Sequence, residues 1–218
     1  MKNSIFIFTA SAITLCSILS VEAQTKKDTT TKESSVKVDT SAIGKNMSHQ
    51  DTLKDEKAKV LGGAEMLSSK NIIDNTSKSK DHTILVSAIK SAGLTDSLKA
   101  KGPFTVFAPT NEAFSKLPAG TLETLEKPVN KEKLVDVVEF HVVPGKLNSK
   151  DLALAVARGN GNATLTTVEG ENLNVSINAE KNLQITDGKG NIALVTMFDV
   201  EQSNGVVHVI NNVLLPKE

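Results

Sequence analysis

The chain of 218 residues holds four histidines, the side chains whose ordinary pKa lies near neutral pH and which can act as a base or a metal ligand. They are His49, His82, His141 and His208, and no two of them stand at the short spacing of a metal site. His49 lies in a polar stretch and His82 at a predicted helix start, so we expect both to face solvent. His141 and His208 are flanked by apolar residues, and histidines in such places are more often hydrogen-bonded structural groups than ligands or bases.

Patterns that carry other chemistry do not occur in the sequence. It holds no Gly-x-Ser-x-Gly elbow, no Gly-x-x-x-x-Gly-Lys phosphate loop and no His-Glu-x-x-His pair. Asp187–Asn191 lacks the repeated acidic positions and closing glutamate of a calcium loop, so we predict a hairpin turn there. We therefore predict no catalytic residue, no metal ligand and no cofactor. One alternative stays open, a secreted hydrolase that pairs His141 or His208 with a neighbouring carboxylate.

Four Asn-x-Ser/Thr tripeptides, beginning at Asn46, Asn75, Asn162 and Asn174, match the acceptor pattern for N-linked glycans. The pattern is short and arises by chance in a chain rich in these residues. It has a consequence only in a host with eukaryotic secretion.

The charge balance narrows the class of partner. The chain holds 25 Lys and Arg against 25 Asp and Glu, Arg158 is its one arginine, and it has no Trp or Tyr. Proteins that bind nucleic acid need a basic face, usually rich in arginine and often interleaved with aromatic residues. We therefore exclude nucleic acid as a partner.

The first 23 residues have the pattern of a secretory signal peptide. Met1–Asn3 is a short positive start, Ile5–Val21 is an uncharged apolar run, and Ala23 suits the cleavage site. Cleavage there would remove Cys16, the single cysteine, and leave no thiol for a disulfide or a zinc site. We expect a protein that is secreted, extracellular or periplasmic, with no transmembrane segment in the mature chain.

Residues 24–60 predict a disordered polar linker, because Lys, Asp, Thr and Ser dominate and the apolar residues follow no period. Residues 61–218 predict one folded domain whose first half is helical. Asp81 is expected to cap a helix that stops at Gly93, Asn130 one that reaches His141, and Asn148 one that runs to about Ala157. Shorter helices are predicted from Thr95 and from Thr121.

The stretch Phe104–Phe114 predicts a strand followed directly by a helix. Side chains in the strand alternate, so Phe107 faces away from its two apolar neighbours. Pro109 cannot donate to a ladder and ends the strand. Thr110 or Asn111 can then cap the helix.

The second half changes to short alternating segments separated by Gly- and Asn-rich turns. Such segments at this spacing predict an antiparallel sandwich or barrel, and strands after helices make the class α+β. The predicted strands cover residues 163–168, 173–178, 183–186, 192–200 and 206–215.

Two segments resemble the signature motifs of the fasciclin domain family. Thr105–Phe114 is similar to the first motif and Asn204–Pro216 to the second, and Phe140–Gly145 corresponds to the Tyr-His segment between them. The resemblance runs from about Leu61 to Pro216, with the motifs in family order. It implies binding or structural roles for Thr105, Phe107, Pro109, Thr110, Asn111, Phe114, Phe140, His141, Asn204, Gly205, His208 and Asn211.

The resemblance implies a wedge-shaped β-sandwich edged by several α-helices, with both signature strands inside the sheet. It also implies a non-catalytic, cofactor-free adhesion module that binds a cell-surface or matrix protein or a polysaccharide. We expect the protein to be monomeric. Phe140 stands where the family has Tyr, which removes a hydroxyl, and Asn111 stands where many members have Asp, which keeps a cap but removes a charge. We further expect His141 to hydrogen-bond the Thr110–Asn111 turn. A structural envelope protein without a dedicated ligand is the third alternative.

Overall fold

The computed structural model describes residues 58–217. The predicted signal peptide, most of the predicted linker, Cys16, His49 and Asn46 lie outside the described residues. The helices are α1 (Ile72–Thr76), α2 (Thr83–Ala92), α3 (Thr95–Lys99), α4 (Asn111–Ser115), α5 (Thr121–Leu125), α6 (Lys131–Phe140) and α7 (Ser149–Arg158). The strands are β1 (Lys59–Leu61), β2 (Ala64–Met66), β3 (Phe104–Pro109), β4 (Val142–Pro144), β5 (Asn162–Thr166), β6 (Asn172–Ile177), β7 (Leu183–Thr186), β8 (Ile192–Gln202) and β9 (Gly205–Ile210).

Seven of these strands form one hydrogen-bonded sheet in the order β4-β3-β9-β8-β7-β6-β5, and β1 pairs with β2. All neighbours are antiparallel except β3 and β9, which run parallel. The antiparallel pairing predicted for the second half is therefore confirmed for β5–β9. The parallel β3–β9 pair joins the first motif to that half and lies outside the prediction. These two strands are far apart in the chain, so no hairpin fixes their relative direction.

The sheet folds back so that its two ends meet. Two register shifts in the β8–β9 ladder interrupt the pairing between Val195 and Val200, and such irregularities bend a sheet. At the far end, the Val168 N–H donates to the Val142 carbonyl at 2.8 Å, which joins the residues after β5 to β4. The result is a sandwich with a nearly closed side.

Two apolar clusters occupy the two sides of the β3–β9 pair. Helices α2, α4 and α6 cover one side, where Val106 and Ala108 of β3 are buried. The other cluster fills the sandwich and includes Phe107, Phe140 and Leu152 of α7. The predicted alternation of side chains along the first motif is confirmed.

The helix ends match the sequence predictions only where the capping residue is adjacent to the helix terminus in the chain. Thr110 caps α4, Gly93 ends α2 in the left-handed conformation (φ 82°), and Asn148 with Asp151 forms a capping box on α7, all as predicted. Asp81, predicted to cap α2, lies instead in a short 3-10 turn over Lys80–His82. The α2 cap comes from another element, because Asn111 Oδ1 accepts from the Ile84 N–H at 3.0 Å.

One other predicted cap and one predicted boundary differ in the structure. Asn130 stands at the start of α6 but donates to the Thr124 carbonyl instead of capping the helix. The predicted linker reaches residue 60, but Lys59 and Val60 already pair with β2. Asp187–Asn191 does join β7 to β8 as a hairpin turn, as predicted.

Candidate functional site

The two signature motifs lie side by side in the sheet. Phe104 stands opposite Gly205, Phe107 opposite His208, and Pro109 opposite Ile210. The contact is closest at Gly205, where an added Cβ would lie 2.0 Å from the Phe104 carbonyl oxygen. Real Cβ atoms do not come this close to an oxygen, so the parallel pairing requires glycine at this position.

Thr105 and Asn204 attach loops and helices to this pair. The buried Thr105 hydroxyl donates to the Gly145 carbonyl at 2.7 Å and accepts from the Leu147 N–H at 2.9 Å. Asn204 Oδ1 accepts from the Ile72 N–H at 3.0 Å, and its Nδ2 donates to the carbonyls at the end of α3. The polar atoms of both side chains therefore form hydrogen bonds within the domain.

His208 is fully buried and stacks on Phe107, with ring centroids 5.8 Å apart and an interplanar angle of 27°. Its Nε2 donates to the Leu147 carbonyl at 2.8 Å, and its Nδ1 accepts from the Asp199 N–H at 3.3 Å. Burial lowers the pKa of His208, against the opposing effect of its carbonyl partner. The ring is therefore neutral and both its nitrogens are occupied.

A polar cluster that the sequence did not predict surrounds Asp199. This residue lies in the irregular part of β8 with a positive φ of 54°, and its carboxylate accepts from both the N–H and the hydroxyl of Ser149 at the start of α7. Burial would raise the pKa of the Asp199 carboxyl, but the Ser149 hydrogen bonds and nearby positive charge lower it overall. Although Ser, His and Asp are neighbours, the carboxylate bonds the serine and only the backbone of Asp199 bonds the histidine. This is not the order of a nucleophilic triad.

His141 ends α6 and is also buried. Its Nδ1 donates to the Val137 carbonyl at 2.7 Å, and its Nε2 accepts from the Leu214 N–H at 3.0 Å. Burial lowers the pKa of His141 to about 4, although the Val137 carbonyl opposes the shift. The predicted hydrogen bond to the Thr110–Asn111 turn is therefore wrong, because both ring nitrogens have partners in other segments.

The remaining motif residues also serve the scaffold. Asn111 joins α4 to the start of α2, and its Nδ2 donates to the Lys80 carbonyl at 2.8 Å. Asn211 Oδ1 accepts from the Leu194 N–H at 2.8 Å and extends the β8–β9 ladder. Phe114 and Phe140 are buried in apolar clusters, so the absence of a hydroxyl at Phe140 leaves no polar atom unpaired.

Two buried polar residues were missed or misplaced from the sequence. His82 was predicted to face solvent, but it is fully buried beside Ser79, whose Oγ lies 2.9 Å from Nδ1. The Nε2 atom of His82 makes no hydrogen bond of good geometry, and burial lowers the pKa of the ring even though the Ala108 carbonyl favours the charged form. The carboxylate of Asp187 is buried under four donors, among them the Leu215 N–H at 2.9 Å, and so holds the last segment.

Among residues 58–217 no group of three or more His, Cys, Asp or Glu side chains could hold a metal ion, and no helix has the length and apolar character needed to cross a membrane. A cleft of about 700 Å³ between α5, α6 and residues 215–217 is lined by none of the histidines.

Comparisons with known proteins agree with the motifs. The family model for the fasciclin domain matches residues 80–216. Protein sll1483 of Synechocystis sp. is 42% identical over 163 residues, which cover 74% of this chain and 82% of that protein. The transforming growth factor-beta-induced protein ig-h3 of Sus scrofa is 39% identical over 134 residues, 62% of this chain but 17% of that longer protein.

Among solved structures, a fasciclin domain pair from the insect cell adhesion molecule Fasciclin I aligns with a TM-score of 0.48 at 23% identity. It covers 61% of this chain, which in turn covers 44% of that one. The family match over more than half of the sequence, together with the extensive Synechocystis match, settles the family. This chain belongs to the fasciclin domain family, an α+β fold.

Proposed function

We propose that this protein is a secreted or envelope-associated adhesion module that binds a cell-surface protein or a polysaccharide without catalysis. The fasciclin domain family has adhesion and extracellular-matrix roles. The observation that supports this role for the present chain is how its motif residues are used. Every polar side chain of Thr105, His141, Asn204 and His208 bonds inside the fold, which leaves binding to the outer surface.

The proposal includes export and a monomeric state. Residues 1–23 have the order of charge, apolar run and cleavage site that directs secretion. A role in the periplasm, an extracellular matrix or a biofilm follows from that export. The partner class excludes nucleic acid because the chain has no excess of basic residues.

The hydrolase alternative finds no support in the geometry. A general base needs a nitrogen within reach of a substrate proton. His141 and His208 are at most 2% exposed, and each uses both ring nitrogens on backbone groups. Substitution of either histidine is therefore not a suitable test of the proposed function.

Binding of the full chain to isolated cell-envelope and secreted-matrix fractions tests the proposal. We expect saturable sedimentation with one or both fractions, and its loss after protease or after periodate treatment identifies protein or polysaccharide as the partner. The Gly205→Leu variant, which cannot form the β3–β9 contact, is the control that shows whether binding requires the folded domain. Binding to neither fraction would favour the structural envelope protein without a ligand.

A further inference from the structure

The outer face of strands β5–β7 carries an ordered array of amide and hydroxyl side chains. In the sheet register, Thr164 of β5 lies opposite Asn174 of β6, which lies opposite Thr186 of β7. A second row beside it holds Asn162, Ser176 and Gln184. We name these two rows, with the neighbouring Thr166–Asn172 pair, the amide–hydroxyl face.

This face is free of charge. Strands β5, β6 and β7 contain no Asp, Glu, Lys or Arg, and β8 contains none before Asp199, although 23% of the whole chain is charged. The charges stand in the adjoining turns, for example Glu169, Glu180 and Lys181. A solvated sheet face usually carries charged residues, and an edge strand such as β5 usually carries lysine. The absence of both needs an explanation other than solubility.

The array is also held in place and has unused donors. Thr164 Oγ1 donates to Asn174 Oδ1 at 3.3 Å, and Thr166 Oγ1 donates to Asn172 Oδ1 at 3.0 Å. Each bond fixes the asparagine oxygen toward its neighbour, so the amide nitrogen points away with both protons free of any partner among residues 58–217. Inward neighbours such as Leu173, Val175 and Ile185 are fully buried, which keeps the strands rigid beneath.

We propose that the amide–hydroxyl face binds a linear neutral polysaccharide. Neutral sugars present hydroxyl groups that both donate and accept, and amide and hydroxyl side chains provide the matching groups without a charge to desolvate. Neighbouring strands lie about 4.8 Å apart, close to the length of one pyranose unit in a β-1,4-linked chain, so successive units can meet successive strands. At the β8 end the rows finish in the half-buried Leu194 and the exposed Ile192, whose side chains suit the C–H faces of a sugar ring.

Other occupants fit this surface less well. An anionic polymer requires lysine or arginine, which the face lacks. A second copy of this chain would need the apolar and aromatic centre of a protein interface, and only Ile192 and Leu194 are apolar here. The inference rests on the adhesion role proposed above and adds the surface and the ligand class.

Affinity electrophoresis of the full chain tests this assignment, with native gels that contain hydroxyethyl cellulose, galactomannan, alginate or no polymer. We expect retardation in a neutral-polymer gel and none in alginate. The Thr164→Val/Thr186→Val variant removes two hydroxyls at equal shape, and Asn174→Asp replaces an amide donor by a charge. Each should weaken retardation about tenfold, because each removes sugar hydrogen bonds. Val129→Asp adds the same charge at a residue 87% exposed on another surface and should leave binding unchanged.

The outcomes separate the two proposals. Retardation in alginate alone, in none of the polymers, or equally in all variants that keep their thermal melting curve would overturn the assignment to this face. A doubled mass on size exclusion that the Thr164→Val/Thr186→Val change alters would reassign the face to self-association. Binding to matrix fractions without binding to neutral polymers would leave the adhesion role standing and reject only this surface.

Discussion

Acidification should destabilise the domain through His141, by an amount that the structure allows us to work out. The folded pKa is about 4, against 6.5 for an ordinary histidine. Because the unfolded chain takes up the proton first, the stability that this site contributes is complete above about pH 6.5 and is lost as the pH falls to about 4. At about 1.36 kcal/mol per pKa unit, the loss is about 3 kcal/mol, of which about 2 kcal/mol is gone at pH 5.

His141→Gln is the matched variant, because glutamine can still accept from the Leu214 N–H but does not titrate. It loses the Nδ1 bond to Val137, so we expect it to be less stable than the wild type at neutral pH by about 1–3 kcal/mol. Below about pH 6.5 that difference should shrink by about 3 kcal/mol or reverse. The other buried histidines, His82 and His208, titrate in both chains and cancel in the comparison.

The measurement is urea unfolding at a series of pH values, followed by far-ultraviolet circular dichroism since the chain has no Trp or Tyr. A stability difference that stays constant from about pH 7 to about pH 4 would show that His141 is not a buried neutral group and would refute the reasoning. An unchanged m-value in both chains ensures that the same transition is compared.

Further predictions concern the contacts between the two motifs. Gly205→Ala should lower the free energy of unfolding by about 3 kcal/mol or more, because the added Cβ would collide with the Phe104 carbonyl. Gly120→Ala, whose Cβ would meet open space, should lower it by only about 1–2 kcal/mol. Equal losses in urea unfolding would contradict the close contact at Gly205. Asn204→Ala should cost about 3 kcal/mol, since it leaves one N–H and two carbonyls without partners, and a loss under about 1 kcal/mol would contradict this role. Thr105→Val should cost about 2 kcal/mol and the exposed Thr164→Val less than about 0.5 kcal/mol, and similar losses would speak against the Leu147 anchor. A chain that starts at Ala58 should melt cooperatively, as the full chain does. A chain that starts at Gly62 should melt at a lower temperature, because it lacks the bond from Lys59 to Asp199 and the buried Leu61. Equal melting temperatures would place the start of the folded domain later in the sequence.

Much of the local structure could be predicted because its causes are local. Phe107 and Val106 are buried on opposite faces of β3, because successive side chains of a strand alternate between its two faces. The capping box on α7 and the glycine at the end of α2 depend on residues a few positions apart. The α+β class followed from helices in the first half and strands in the second, and the family from two motifs in order.

The errors occurred where a partner comes from elsewhere in the chain. Asp81 has the chemistry of a cap, but Asn111 reaches the α2 terminus from another helix. His82 has charged neighbours in sequence, yet the packing of the domain buries it. Asp199 has no sequence signal at all, because its role depends on the irregularity in β8 and on Ser149, fifty residues away along the chain.

The sequence alone determined the family, the α+β class and several helix and strand boundaries, because composition, spacing and capping act over a few residues. It also determined that no familiar catalytic motif is present. The tertiary structure decided what the motif residues do. Parallel pairing of β3 with β9 sets Phe107 against His208, and burial keeps both motif histidines neutral and fully bonded. The tertiary structure also aligned the uncharged residues of β5–β7 on one outer face. Strand register decides which side chains become neighbours, and no single strand encodes that register.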